Sequence, residues 1–149
     1  MKKNYYFKFI ENLYCNAKEA GWKIFYDRES DSLFWTVKPV PADDKLAKVS
    51  SEISFFLGKG GGVNGLIIRP FQRNFVSHNQ EVEKVSSFFT KKDGQDILSI
   101  PAGKRKESES LVATLSATIG KSIYRDAAEA EHPLKDLEYF LSSTSSRVG

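Results

Sequence analysis

Apolar residues in this chain recur with two periods, one close to 3.6 and one of two, and the changes between them divide it into elements. Over residues 4–20, Tyr6, Ile10, Leu13, Ala17 and Ala20 share one side, while Lys8, Glu11, Asn12, Lys18 and Glu19 lie mostly opposite. That spacing predicts an amphipathic helix. Gly21 is placed to stop it, because glycine enters the left-handed region without a steric penalty. From Trp22 the pattern shortens. Trp22-Lys23-Ile24-Phe25-Tyr26 and Leu33-Phe34-Trp35-Thr36-Val37 are aromatic and β-branched, and Asp27 to Asp31 between them has the polar side chains of a turn. A hairpin over 22–38 follows, with Leu33, Trp35 and Val37 directed inward. Pro39, Pro41 and Asp43-Asp44 mark a loop. A second hairpin is predicted from Ile53-Ser54-Phe55-Phe56-Leu57, a glycine-rich turn and Leu66-Ile67-Ile68.

Helical spacing returns at 79–92, where Val82, Val85 and Phe89 form a face, Asn79 is a cap and Gly94 a stop. A short strand is expected at 97–100 and an exposed loop over 103–109. The longest helix is expected at 109–131, with Val112, Leu115, Ile119 and Ile123 as its stripe and Ser108 or Ser110 as its cap. Gly120 in its middle is read as a point where another element comes close. Pro133 opens a last short helix with Leu134, Leu137 and Leu141 inward. The fold class expected is α+β: a four- to five-stranded, mainly antiparallel meander packed by helices from both termini. Residues 1–141 form one domain and 142–149 a flexible tail.

Composition narrows the function more than the fold. A chain of 149 residues with 40% hydrophobic and 28% charged residues can build a core without metal or disulfide staples. The single cysteine, Cys15, rules out an intrachain disulfide and is read as a buried, inert thiol of the first helix. No signal-peptide pattern and no span long enough for a bilayer is present, so the cytoplasm is the expected compartment. A net charge of +3 is too small to imply a polyanionic partner.

Several motifs match in form and fail in context. Gly60-Gly61-Gly62-Val63-Asn64-Gly65 spells the dinucleotide fingerprint, but a strand follows where a helix N-terminus is needed, so it reads as a hairpin turn. Gly120-Lys121-Ser122 resembles the end of a phosphate loop yet lies mid-helix, with Leu115 where glycine is required. Asp27, Glu29 and Asp31 begin like a calcium loop, but Ser32 and Lys38 occupy the glycine and glutamate positions. His78 and His132 have no ligand at metal spacing. No cofactor, metal or catalytic constellation is therefore assigned, and nothing sets up a glycosidase-type carboxylate pair.

Three functional readings follow. The first is a non-enzymatic protein-binding module, homodimeric or with a protein partner, presenting Leu111, Ile119 and Tyr124 on a second face of the long helix. The second is a nucleic-acid binder: in an extended strand Arg69, Phe71, Arg73 and Phe75 would share one side, interleaving cations with rings, and Lys104-Arg105-Lys106 would add charge. The third is a small-ligand protein or enzyme whose site gathers distant residues, such as Tyr26, Asp27, Asp31 or His78.

The segment Tyr26-Asp27-Arg28-Glu29-Ser30-Asp31-Ser32-Leu33-Phe34-Trp35 resembles the opening hairpin of the DUF2283 family of small bacterial proteins. Glu52 to Leu57 followed by Gly62 to Ile68 is similar to that family's strand, glycine turn and strand. The resemblance covers residues 23–70; the turn at 58–65 is richer in glycine, and a helix precedes the hairpin. It implies a small β-meander often encoded beside toxin-like proteins, suspected of being an antitoxin or partner-binding module, and brings no catalytic residues with it.

Overall fold

The computed structural model describes residues 8–37, 40–92, 95–98 and 105–129; for 86–92, 95–98, 105, 107, 108 and 127–129 it describes the backbone alone. Residues 8–11 are helical and lead through Asn12 into helix α1 (Leu13–Glu19), with Leu13 and Ala17 buried. Gly21 adopts φ 71° and ends it. Its amide donates to Lys18 O at 3.2 Å, and that of Trp22 donates to Ala17 O at 2.9 Å. These are the paired bonds of a glycine-closed helix end. Cys15 is exposed, so the expectation of a buried thiol is corrected: it lies two residues past Leu13, off the apolar stripe.

The strands are β1 (Lys23–Asp27), β2 (Ser32–Thr36), β3 (Lys45–Lys48), β4 (Ile53–Leu57), β5 (Val63–Ile68), β6 (Phe89–Lys92) and β7 (Gln95–Leu98). The predicted α+β fold is present, its antiparallel sheet flanked by helices from both ends of the chain. Among the described residues the sheet has seven strands, in the order β3-β4-β5-β2-β1-β7-β6. The two predicted hairpins supply β1, β2, β4 and β5, and they join through β2 and β5, with Trp35 opposite Leu66. The extra edge strand β3 falls just after the proline loop. The other hairpin uses 89–92, read as helix, and 95–98, close to the predicted strand; residues 99 and 100 lie outside the described part.

One face of the sheet forms the core. Ile24, Tyr26, Leu33, Trp35, Ala47, Ile53, Phe55, Leu57, Leu66 and Ile68 point to it, as the two-residue period requires. Helices cover that face. Helix α2 (Arg105–Glu129) contributes Leu115, Ile119 and Ile123, and the 3-10 helix Gln80–Phe88 contributes Val82 and Val85. Helix α2 begins at Arg105, inside the segment read as a loop. At Gly120 a methyl group would meet Ile10 Cγ2 at 3.5 Å, an ordinary contact. The N-terminal part of the chain does come close there, as expected. Between β4 and β5, Gly60 and Gly61 take φ 85° and 86°, and β5 follows directly, so these glycines turn a hairpin. No helix among the described residues is long and apolar enough to cross a membrane. The predicted helix at 133–141, the tail 142–149 and His132 lie outside the described residues.

Candidate functional site

The calcium-like turn resolves into two different carboxylates. Asp27 stays at the surface, where its Oδ1 accepts from the Glu29 amide at 3.2 Å and its Oδ2 from the Ser30 hydroxyl at 2.7 Å. Asp31 turns inward at φ 52° and is only 7% exposed. Its Oδ1 accepts from Tyr26 Oη at 2.5 Å and the Gln72 amide at 2.9 Å; its Oδ2 accepts from the Arg73 amide at 3.0 Å and Arg73 Nε at 3.3 Å. Its carbonyl accepts from the Phe71 amide at 2.8 Å. Burial alone would raise the Asp31 pKa, but bonds from Tyr26, Gln72 and Arg73 outweigh it and hold the carboxyl below its usual value. Tyr26 and Asp31 thus meet, as the third reading requires, yet both carboxylate oxygens are already committed. The pair clamps the first turn of the next segment to the β1–β2 hairpin.

That segment, Phe71–Val76, is a π-helical turn and not an extended strand. The expected ladder of Arg69, Phe71, Arg73 and Phe75 is therefore absent. Phe71 and Phe75 are fully buried and stack at 6.0 Å, whereas Arg69 and Arg73 are exposed, Arg73 being paired with Asp31. Rings hidden in a core cannot receive bases. Lys106 is exposed on α2, while Lys104 and the Arg105 side chain lie outside the described part.

His78 lies elsewhere, at a joint between the β3–β4 turn and the C-terminal end of α2. Its Nδ1 is 3.9 Å from Glu52 Oε2, a side chain with 8% exposure and no hydrogen bond to that oxygen. Burial raises the Glu52 pKa, His78 opposes this and Asp126 adds to it. Asp126 Oδ2 accepts from the Ser51 amide at 2.8 Å and ties the last turns of α2 to the sheet. Among the described residues no group of three His, Cys, Asp or Glu side chains could hold a metal ion.

The predicted interface residues separate as well. Ile119 is fully buried in the core and Leu111 packs half-buried against it, so neither forms a free second face on α2. Tyr124 alone is exposed, its hydroxyl donating to Glu11 Oε1 at 3.3 Å. Beside it runs a groove of about 330 Å³ between residues 10–15 and α2, lined by Leu13, Cys15, Ala113, Ala117, Gly120 and Lys121 among others.

A second apolar surface, which sequence reasoning missed, lies on the sheet face away from the helices. Phe25, Phe34 and Phe56 point outward from β1, β2 and β4 and are half-buried. The Phe25 and Phe34 rings stack at 4.9 Å with 10° between their planes, and Phe34 continues to Phe56 at 6.5 Å and 24°. Strand β5 runs between Phe34 and Phe56, and Gly65 lies opposite both Thr36 and Phe56 there. The space that a side chain at Gly65 would take is filled by Thr36, whose Cγ2 would lie 2.4 Å from a methyl group there. Ile67, opposite Phe34 on β5, is buried, with 6% exposure. At the sheet's edge Leu46, opposite Phe56, is 48% exposed. The signal was present in the sequence: Ile24-Phe25, Phe34-Trp35 and Phe55-Phe56 put large apolar residues at both parities, the mark of a strand with two apolar faces.

Searches of protein-family models, of curated proteins and of solved structures return no match to this chain.

Proposed function

We propose that this chain is a non-enzymatic protein–protein interaction module that meets its partner through the outer face of the sheet, with a second copy of itself as the partner to test first. The observation that carries this reading is the ring row Phe25–Phe34–Phe56 with the exposed Leu46 beside it. Each ring covers its neighbour's flat side, so the row offers apolar edges outward. Bases bind to ring faces; apolar side chains of another protein pack against edges. The edge strand supports a face contact over edge-to-edge pairing, because Lys45 and Lys48 place charges where another strand would add. The resemblance of residues 23–70 to DUF2283 proteins, suspected of binding partners, points the same way.

The test is the mass in solution of the chain and of its Leu46→Glu variant, by size-exclusion with light scattering across a range of concentrations. A dimer that becomes monomeric in the variant is the expected result, since a buried unpaired carboxylate is strongly disfavoured. A chain that stays monomeric throughout, with the variant indistinguishable from it, would count against self-association.

A further inference from the structure

Where the β3–β4 turn meets the last turns of α2, away from the outer face of the sheet, a cluster of titratable side chains is one proton short of balance. Glu52 is held there by its backbone: its carbonyl accepts from the Arg69 amide at 2.8 Å, and its amide donates to Ser50 Oγ at 3.4 Å. Its side chain is 8% exposed, and Oε2 is buried without a hydrogen bond. An ionised carboxylate in that position is costly. His78 Nδ1, 3.9 Å away, is too distant for a hydrogen bond. The flanking Ser77 and Asn79 side chains donate to carbonyls of the π-helical turn and hold the imidazole beside Glu52. The other charged groups that act on Glu52 are Asp126 and Arg125 of α2. Arg125 Nε lies 3.8 Å from Asp126 Oδ1, while Asp126 Oδ2 accepts from the Ser51 amide. With the imidazole neutral, two carboxylates therefore face one guanidinium. The excess negative charge rests on the more buried carboxylate, Glu52.

We infer that Glu52 and His78 form a pH-sensitive latch, in which one proton taken up between them fastens the end of α2 to the β3–β4 turn and its loss loosens that contact. The proton acts in the same direction on either group. On His78 it makes an imidazolium that attracts Oε2, and histidine is the side chain whose charge ordinarily changes between pH 5 and 8. On Glu52 it removes a charge from a site poor in water. Burial raises the Glu52 pKa above its ordinary value; His78 and Arg125 oppose this and Asp126 adds to it. The closed joint thus binds the proton more tightly than the opened one. The latch is strongest below the ordinary glutamate value and weakens as pH rises through the raised folded one.

The test is denaturant unfolding of the full chain and of Glu52→Gln from pH 8 down to pH 5. Glutamine keeps the shape and cannot take up the proton. The folding constant of the parent, divided by that of the variant, is expected to rise about tenfold over this range. The Ser51 amide nitrogen, bonded to Asp126, should titrate in NMR spectra with the same midpoint. His78→Gln is then made in both backgrounds. At pH 5.5 it should weaken the parent about threefold and leave Glu52→Gln unchanged, because the imidazolium has lost its partner. A ratio that stays flat from pH 8 to 5 overturns the latch, as does an equal effect of His78→Gln in both backgrounds. Should Glu52→Gln fail to fold, the Glu52 carboxyl carbon is titrated in the labelled parent chain. A midpoint above the ordinary glutamate value supports the latch, and one at or below that value overturns it.

Discussion

The two faces of the sheet carry similar side chains and treat them differently. On the inner face Phe55 is 0% exposed and Trp35 3%, wrapped by α1, α2 and the turns between 71 and 88. On the outer face Phe25, Phe34 and Phe56 cover one another and stay half-buried. Ring content therefore does not distinguish the inner face of the sheet from the outer one. What distinguishes them among the described residues is that helices pack against the rings of the inner face.

That contrast can be broken most forcefully at Phe55. Phe55→Ala should cost about 3–5 kcal/mol in chemical denaturation, as a transfer loss plus a cavity. The matching Phe34→Ala should cost only about 1 kcal/mol, losing a stacked pair and part of a burial. Equal losses would mean that the outer row is a second core, already covered.

Gly65 tests the outer face from beneath. A methyl group there would lie 2.4 Å from Thr36 Cγ2 and 2.6 Å from its Cα, and backbone cannot yield as a side-chain tip does. Gly65→Ala should destabilise by about 2–3 kcal/mol and weaken the contact between Phe34 and Phe56. The thermal midpoint reads the first effect and near-UV circular dichroism the second.

Asp31 sharpens the comparison on the inner side, because it fastens the buried Phe71–Phe75 turn to the hairpin. Asp31→Asn keeps the shape but turns an amide donor toward backbone N–H groups, at a cost of about 2 kcal/mol at neutral pH. The folded-state pKa of Asp31 is depressed. Its contribution is therefore complete above the unfolded carboxylate value of about 4 and is lost as pH falls through the lower folded one. Stability measured from pH 7 down to 2 should show the parent chain converging on the variant in acid. Parallel profiles would remove the anion from the account.

Much of this architecture could be read from local pattern. The stripe Leu13 and Ala17, the stop at Gly21, the inward Leu33 and Trp35, the glycine turn before β5 and the stripe Leu115, Ile119 and Ile123 all follow from periods of 3.6 and two. Strand β3 could not, since Lys45–Lys48 offers one small inward residue, Ala47, and pairs only because β4 lies beside it. The turn at 71–76 was half legible. Phe71 and Phe75 are four apart, which suits a helix, but the interleaved arginines also suit a strand.

The sequence by itself determined which residues avoid water and the alternation that sorts them, because both are properties of neighbouring side chains. Tertiary structure decided the rest. Asp31 captures amides at 72 and 73 some forty positions later, β5 settles against β2, and Gly65 leaves the room that Thr36 of β2 fills. Such choices depend on groups distant along the chain, whose proximity exists only once the sheet has formed.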